Sequence, residues 1–423
     1  MGETRAIRGG KLLSNEEFRA HLALATRLEN VGVLLGAGAS ISAGGKILQG
    51  VWEDFGNTYP DNAAWLTEEG FSPDGNLEKL LDRIQTAEQE WERQNAKGRN
   101  LKKLRHCRNN LYRSLIRTAL LELKCWENPS YISRYPGLAL HKQLLSRLVI
   151  GRRPGQPEPW LFTTNYDLAL EWAADSIGLH VLNGFAGLHH RTFIPSNFEL
   201  GFRNTQARGE ARFGTYHIYL AKLHGSLSWI VGEDYVQEMT CKAIYPAIRA
   251  FLLEEKVEFP GLLIYPGASK YIHTSSFIYG ELLRRFSEFL ARPQTCLLVN
   301  GYSFGDEHSN LILASALNNP TLNLVLYVPE IADAELERIA MDKARVIRCR
   351  FLDRLLELKS PQVTIVGGGH KAYFDQFVSD LPEPILLDDH AERVQRLLKL
   401  FERMSEEIET EAVIAAAKEG EES

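Results

Sequence analysis

Two polar side chains in this sequence have the types and positions needed for acid–base chemistry. Asn165 lies in FTTNYD at residues 162–167, here called the asparagine loop, and His224 lies in KLHGS at 222–226, the histidine turn. Each segment contains the end of an apolar run that is typical of a buried strand. An amide can orient a hydroxyl or a water, and a histidine can accept a proton near neutral pH. Taken alone, Asn165 is better explained as a turn residue, and His224 as a structural residue.

A glycine-rich turn follows the apolar run VGVLL at residues 31–35. The segment continues as GAGAS to Ser40, and we call it the glycine loop. No side chain at Gly36 or Gly38 prevents backbone N–H groups from approaching a pyrophosphate. The loop lacks the full G-x-G-x-x-G spacing and the acidic residue about twenty positions later, so a plain tight turn explains it equally well on its own.

A fourth segment, GYSFGDEHSN at residues 301–310, is called the GYS loop. Gly301 and Ser303 follow another apolar run and could contact a ribose or a phosphate. We expect Asp306 to cap the next helix, as we expect of Asp167 in the asparagine loop. Asp306 with His308 would make a poor metal site without further ligands, so we predict no metal.

The segments that position these loops alternate between strand and helix patterns. Predicted strands cover 31–35, 159–164, 216–223, Thr295–Asn300 and 323–328, and predicted helices cover 14–28, 168–176 and 308–317, with an almost wholly helical pattern at 77–123. This alternation predicts an α/β fold with a doubly wound, Rossmann-like, mostly parallel sheet. Ligands of such sheets bind at the carboxyl ends of the strands, where all four loops fall.

The domain organisation follows from these patterns. We expect an N-terminal helix within 1–29, a catalytic domain at 30–330 with a helical insertion at about 60–150, and a C-terminal α/β completion at 331–423 that ends in an amphipathic helix from His390. The apolar seam of that helix spans only two heptads. Packing against its own domain and assembly as a coiled coil therefore both remain open.

Composition excludes several classes of protein. The chain has 423 residues, of which 44% are hydrophobic and 24% charged, with a net charge of −6 that argues against binding nucleic acid over the whole surface. Its five scattered cysteines include no C-x-x-C pair, and no apolar run approaches membrane-spanning length. We therefore expect a soluble, cytoplasmic protein. The basic stretch at 97–117 indicates either a solvated helix face or a docking surface for nucleic acid or an acidic partner.

Together, the order and spacing of the four loops resemble the sirtuin-like superfamily of NAD-consuming proteins. That family has a GAG-x-S glycine loop, an asparagine in the catalytic loop and a histidine before Gly-Ser. The sequence is most similar to a bacterial branch with TTNYD and GYS-x-x-D-x-H motifs, whose members are mostly antiphage defence effectors that destroy NAD. The resemblance covers roughly residues 30–330, without the insertion.

Two departures from the family pattern concern protein deacylation. Only Cys241 lies between His224 and Cys296, so the four zinc-binding cysteines of sirtuin deacylases are missing. Gly44 is followed by Gly45-Lys46-Ile47 instead of a Gly-Ile-Pro-Asp-Phe-Arg type segment. Both departures argue against deacylase activity.

The resemblance implies that NAD is a substrate, cleaved to nicotinamide and ADP-ribose without a metal. Asn165 would orient the ribose and the attacking water, and His224 would contact the ribose hydroxyls or that water. The implied NAD-binding residues are Gly36, Ala37, Gly38, Ser40, Thr164, Asp167, Gly225, Ser226, Gly301 and Ser303. Among them Gly36, Ala37 and Ser40 would contact the pyrophosphate, and Gly301 and Ser303 the adenosine ribose.

The resemblance also implies partners. We expect a homo-oligomer in which activity is triggered by assembly or by a second protein, such as a HerA-type hexameric ATPase or a short Argonaute. Two alternatives remain at this point: a regulatory module that binds NAD or ADP-ribose without cleaving it, and, less favoured, a protein deacylase. We expect no membrane association.

Overall fold

The computed structural model describes residues 5–73, 77–94, 99–121, 123–152, 155–202, 216–232, 235–254, 257, 262–264, 272–341 and 349–383. The chain divides into two units, Met1–Asp380 and Leu381–Ser423. The amphipathic helix predicted from His390 lies outside the described residues, as does the start of the basic stretch.

The strands are β1 Arg5–Arg8, β2 Lys11–Leu13, β3 Asn30–Leu35, β4 Trp160–Thr163, β5 His180–Leu182, β6 Phe185–Ala186, β7 Arg191–Phe193, β8 His217–Lys222, β9 Gly225–Val231, β10 Val236–Glu238, β11 Leu262–Ile264, β12 Thr295–Asn300, β13 Asn323–Tyr327 and β14 Val363–Gly367. The α-helices are α1 Asn15–Ala25, α2 Leu48–Thr58, α3 Pro60–Glu68, α4 Leu77–Arg93, α5 Arg99–Ala119, α6 Leu123–Glu127, α7 Ala139–Ile150, α8 Ala169–Ser176, α9 Cys241–Leu253, α10 Ile272–Ala291, α11 Glu307–Ala316, α12 Asp333–Ala340, α13 Arg350–Glu357 and α14 Phe374–Asp380. Short 3-10 helices cover Ala37–Ala43, Pro129–Arg134, Pro136–Leu138, Pro195–Glu199 and Gly369–Ala372.

A nine-stranded sheet within the described residues forms the centre of the first unit, in the order β2-β1-β14-β13-β12-β3-β4-β8-β5. The strands from β14 to β5 are parallel, and the β1–β2 hairpin adds antiparallel strands at one edge. The predicted α/β, mostly parallel, Rossmann-like sheet is therefore confirmed. Every residue of β3 and β12 is buried, as expected for central strands covered on both faces.

The strand order contains a topological switch point between β3 and β12. The chain leaves β3 for β4 on one side and later returns to β12 on the other side, in register from the Thr295–Asn30 pair to the Asn300–Leu35 pair. Ligands of doubly wound sheets bind in the crevice at such a point, outside the carboxyl ends of the strands. The glycine loop and the GYS loop both begin there.

A second, antiparallel sheet was not predicted from the sequence. Its order is β11-β9-β10-β7-β6. Only Leu223 and His224 connect β8 of the large sheet to β9 of the small one. Gly225 has a φ of 98°, a value that residues with a side chain rarely adopt. Glycine is therefore needed at this turn of the chain.

Helices α2 to α7 lie between β3 and β4 in sequence and have an apolar core of their own. This core combines buried residues from several of them with residues of α8 and α9, including Phe55, Leu81, Leu111, Trp126, Trp172 and Phe251. It also includes Ala43 and Tyr166, which belong to segments that follow β3 and β4. The insertion is thus packed directly against the ends of the central strands.

The glycine loop and the GYS loop make backbone-to-backbone contact at the switch point. A Cβ atom on Gly38 would lie 2.7 Å from the Cα of Gly301, and one on Gly36 would lie 2.6 Å from the Cα of Tyr302. Gly301 itself has a φ of 66°. The glycines in both loops are therefore required by this contact.

We predict that Gly301→Ala lowers the free energy of unfolding by about 3 kcal/mol, because the new methyl group overlaps the Gly38 backbone and the φ is unfavourable. Gly280→Ala is the matched control, since a Cβ there meets nothing within 4 Å and Gly280 lies within α10. That substitution should stabilise by about 0.5–1 kcal/mol. Chemical denaturation measures both, and equal stabilities for the two variants would contradict this account of the contact.

Candidate active site

The four loops share one cavity of about 280 Å³, which is partly open to solvent. The residues that line it are Gly36, Ala37, Ser40, Gly45, Lys46, Ile47, Gln49, Val51, Leu115, Thr118, Ala119, Thr164, Asn165, Tyr166, Asp167, His224, Gly301, Tyr302, Ser303, Gly305 and Asp306. The sequence places these residues up to 270 positions apart, from Gly36 to Asp306. The carboxyl ends of adjacent parallel strands bring them together.

The side chain of Asn165 is held by two hydrogen bonds from its Nδ2 group. One goes to the carbonyl oxygen of Gly36 at 3.0 Å and the other to Ser40 Oγ at 2.9 Å. Ser40 in turn donates to Asp167 Oδ2 at 2.7 Å, so an acceptor-only carboxylate sets the direction of the hydroxyl. A flipped amide would place its oxygen against the Gly36 carbonyl, and the orientation of the amide is therefore determined.

The two Nδ2 bonds determine what the Oδ1 atom of Asn165 can do. Both Nδ2 protons are used, and within the described part of the chain no hydrogen bond to Oδ1 is formed. Asn165 lines the cavity and is only partly buried. Its Oδ1 can therefore accept a hydrogen bond from a hydroxyl group or a water in the cavity.

His224 contacts the GYS loop through its imidazole. Nε2 lies 3.2 Å from Asp306 Oδ2, and the two side chains are 10% and 12% exposed. Burial of Asp306 raises the pKa of its carboxyl. Hydrogen bonds from His224 and Ser309, together with the charge of His224, lower this pKa by more than burial raises it. The net pKa lies well below the ordinary value, so Asp306 is ionised at neutral pH. It also caps α11, as predicted, by accepting from the backbone N–H of His308 at 3.0 Å.

A buried lysine behind the cavity fixes the asparagine loop. Lys222 Nζ donates to the backbone carbonyl of Asp167 and to Glu171 Oε1, the latter at 2.9 Å. Burial raises the pKa of Glu171 while the charge of Lys222 lowers it, with a net increase. Asp167 accepts from the backbone N–H of Ala169 at 3.0 Å, but the N-cap position of α8 is Leu168, so the prediction that Asp167 is the cap was wrong by one residue.

The GYS loop has a strained backbone that is held from both sides. Phe304 has a φ of 57° although it is not glycine. Its ring stacks on Phe351 with centroids 5.7 Å apart, and its carbonyl accepts from Asn310 Nδ2 at 2.7 Å. Strain of this kind persists only where the surrounding structure fixes it, and it occurs most often at functional sites.

The predicted glycine loop residues divide into two groups. Gly36, Ala37 and Ser40 line the cavity, whereas Gly38 is packed against Gly301. The N–H groups of Gly36 and Gly38 donate to Asn300 and Gly301 carbonyls, both at 3.0 Å. Gly36 and Gly38 are therefore required for the contact between the two loops. The sequence alone indicates a different reason for them, the approach of a phosphate.

Of the other predicted binding residues, Thr164, Asp167, Gly301 and Ser303 line the cavity. The structure does not bring Gly225 and Ser226 to it, because both already belong to β9. Ser226 is fully buried, and its hydroxyl pairs with that of Ser228 at 3.0 Å. The glycine after His224 is explained by the turn between the two sheets and not by ligand access.

Two parts of the wall were missed by sequence reasoning. One is the segment after the glycine loop, which contributes Lys46, Ile47 and Gln49. The other is α5 of the insertion, which contributes Leu115 and Thr118. The Gly45-Lys46-Ile47 departure from the family pattern was a signal for the first part. In the sequence, Leu115 belongs to an apolar stripe on a predicted helix. No pattern in the neighbouring residues distinguishes a member of that stripe that lines a cavity from one that packs in the core.

In the described part of the basic stretch at 97–117, several arginines form contacts within the protein. Arg105 and Arg108 pair with Glu88 of α4, the Arg105 bond being 2.7 Å long. Arg113 is buried and donates to the carbonyl of Phe251 at 2.8 Å. These contacts favour a packed helix face over a docking surface.

A histidine of α7 lies close to the site without lining the cavity. His141 is 1% exposed, packs against Phe374 with centroids 4.8 Å apart and the two rings tilted, and interacts electrostatically with Asp167. Burial lowers the pKa of His141 to about 4, although the charge of Asp167 opposes this shift. His21 also has a pKa lowered to about 4 by burial and by Arg8.

We predict that acid destabilises the protein through these histidines. Between the unfolded pKa of about 6.5 and the folded value of about 4, the unfolded chain binds more protons than the folded one. The free energy of unfolding should therefore fall as the pH falls through this window, by up to about 1.4 kcal/mol per pH unit for His141 and by less for the more exposed His21. Urea denaturation of His141→Gln should show a smaller pH dependence, and exposed His189→Gln is the control. An unchanged slope in His141→Gln would contradict the prediction.

Comparison with known proteins agrees with this geometry. Residues 159–347 match the family described as SIR2-like domain, which is a little under half of the chain. No curated protein matches the chain. Among the described residues, no helix is both long and apolar enough to span a membrane, and no group of three His, Cys, Asp or Glu could hold a metal ion. The match covers the asparagine loop, the histidine turn and the GYS loop, so it supports a sirtuin-like family and an activity that involves NAD.

Proposed function

We propose that the protein hydrolyses NAD at the nicotinamide–ribose bond, releasing nicotinamide and ADP-ribose. The observation that carries this proposal is the shared cavity. Asn165, His224, the glycine loop and the GYS loop all line it. The cavity lies at the switch point of a doubly wound sheet, where nucleotides bind in such folds. The SIR2-like match supports NAD as the ligand.

The chemistry needs few catalytic groups. Nicotinamide leaves as a neutral molecule from a cationic precursor, so no general acid is required. Cleavage develops oxocarbenium character at the ribose, as in other glycosidic reactions. The protein must then hold the ribose and position a water. The Oδ1 atom of Asn165 has the orientation for this purpose, since its amide is fixed by Gly36 and Ser40.

His224 would act on the ribose hydroxyls or on the attacking water. Because the carboxylate of Asp306 only accepts hydrogen bonds, the Nε2 atom that faces it carries a proton. A proton from the ribose or water would therefore be accepted at Nδ1. His224 is then the base, and Asp306 stabilises the imidazolium that forms.

To test these roles, we predict that Asn165→Ala and His224→Ala each lower the rate of nicotinamide release by roughly 10²-fold or more. Asn57→Ala and His189→Ala change exposed residues of the same types and should keep the wild-type rate. Purified protein is incubated with NAD, with and without an acylated peptide, and nicotinamide and ADP-ribose are followed. Wild-type rates in both site variants would contradict the assignment. Nicotinamide release that requires the peptide would indicate a deacylase, and binding without release a regulatory module.

Lys46 is the lysine in the cavity wall, and we propose that it attracts the pyrophosphate. Its Nζ lies 2.6 Å from Asp54 Oδ1, and its side chain is 47% exposed, so it can reach an anion in the cavity without a large desolvation penalty.

We predict that Lys46→Gln raises the KM for NAD about fivefold, equivalent to ~1 kcal/mol, and leaves kcat unchanged. Lys371→Gln is the control, because Lys371 forms a similar pair with Asp333 at 2.9 Å but does not line the cavity. Steady-state kinetics at low salt measures both. An unchanged KM in Lys46→Gln would remove Lys46 from the binding site.

The motif resemblance supports a further part of the proposal: the protein acts as the effector of a bacterial antiphage system, as a homo-oligomer that a HerA-type ATPase or a short Argonaute activates in the cytoplasm. NAD content of host cells before and after phage infection tests it. Loss of NAD only in infected cells, and only with Asn165 intact, is the expected outcome. Isolation of the active protein from its host without any such partner would contradict the partnership.

A further inference from the structure

We propose that Asp306 is a positioning residue for His224: its carboxylate orients the imidazole at the cavity wall while also capping α11. The catalytic part of this inference rests on the proposed function. The structural part concerns only the pairing of two side chains and can be tested without turnover. The sequence assigned Asp306 the helix cap alone.

Four donors converge on this one carboxylate. Oδ1 accepts from the backbone N–H of His308 at 3.0 Å. Oδ2 accepts from the hydroxyl of Ser309 at 2.6 Å and from its N–H at 3.4 Å, and it lies 3.2 Å from His224 Nε2. A helix cap needs only the backbone contacts, which serine or asparagine supplies as well as aspartate. The contact with His224, 82 residues away in sequence, goes beyond capping.

The main chain of the histidine turn is fixed independently of Asp306. The hydroxyl of Tyr279 on α10 donates to the carbonyl of His224 at 3.2 Å, and Gly225 sets the turn into β9. These contacts locate the backbone and do not themselves set the rotation of the ring about its side-chain bonds. The bond to Asp306 supplies that constraint, because it fixes the position of Nε2.

The charged groups around the imidazole give the pairing its electrostatic effect. Asp306, Asp167 and Lys46 share the cavity wall with His224. Lys222, two residues before His224, is bonded to Glu171. Of these charges, Asp306 is the one within hydrogen-bonding distance of Nε2, so removing it should favour the neutral ring and permit the other tautomer.

Asp306→Asn separates the two functions, because asparagine is a good helix cap but carries no charge. We expect a thermal midpoint close to wild type, a kcat for nicotinamide release lower by roughly 10²-fold or more, and a KM for NAD within about twofold of wild type. Ser14→Ala is the control for capping, since it removes the Ser14–Glu17 capping box of α1, remote from the cavity. It should lower stability by about 1 kcal/mol and keep kcat.

A second readout uses the ring itself. In protein labelled with ¹⁵N-histidine, the signal of His224 is assigned by its loss in His224→Gln. We expect the wild-type ring to carry its proton on Nε2, and its pKa to be lower in Asp306→Asn than in the wild type. If Asp306→Asn does not fold, Asp306→Ser provides a cap without a carboxylate and is measured in the same way.

The outcomes distinguish the two proposals. Wild-type protein that releases no nicotinamide would contradict the proposed function, while the ring titration still reports on the pairing. An unchanged titration and tautomer in Asp306→Asn would overturn the positioning of His224 by Asp306. An altered ring with unchanged kcat would confine Asp306 to a structural contact and overturn its part in catalysis.

Discussion

The contact between two strand-end loops determines most of the geometry described above. Neighbouring strands of a sheet lie only about 4.8 Å apart, so the loops that leave β3 and β12 must touch before they diverge. In this chain the contact is made by main chain against main chain, at Gly36, Gly38 and Gly301. One result is that the carbonyl of Gly36 is held where it can accept from Asn165. The orientation of the Asn165 amide thus depends on a backbone atom of the loop after β3, and β3 lies two strands from β8, which leads into the histidine turn.

A continuous polar chain then connects the interior with the cavity. Lys222 binds the carbonyl of Asp167, Asp167 accepts from Ser40, and Ser40 accepts from Asn165. The hydroxyl of Ser40 and the amide of Asn165 each have one direction in which to donate, because the carboxylate of Asp167 only accepts. The amide of Asn165 and the hydroxyl of Ser40 are therefore oriented before any ligand enters the cavity.

Sequence reasoning located the parts that depend on local pattern. Thr295–Asn300 was predicted with the bounds that the structure has, since a buried central strand is a continuous apolar run between turn signals. The cap at Asp306 followed from side-chain chemistry within one turn. The antiparallel sheet was missed because β6, β7 and β10 have only two or three residues each, too few for a periodic pattern.

The site itself was predicted less completely, and for a different reason. Motifs show which residue types lie at strand ends, but they do not show which faces meet. Ser226 belongs to the same motif as His224 and yet is buried, because it lies in the part of β9 that is covered on both faces. The pairing of His224 with Asp306 joins two motifs, and no spacing within either one predicts it.

The insertion provides the cavity with a wall that carries none of the four motifs. Leu115, Thr118 and Ala119 of α5 line the cavity, while Arg108, earlier in the same helix, pairs with Glu88 and joins α5 to α4. Substitutions in these helices can therefore change the depth of the cavity and the access to it while leaving Asn165, His224 and their hydrogen bonds unchanged.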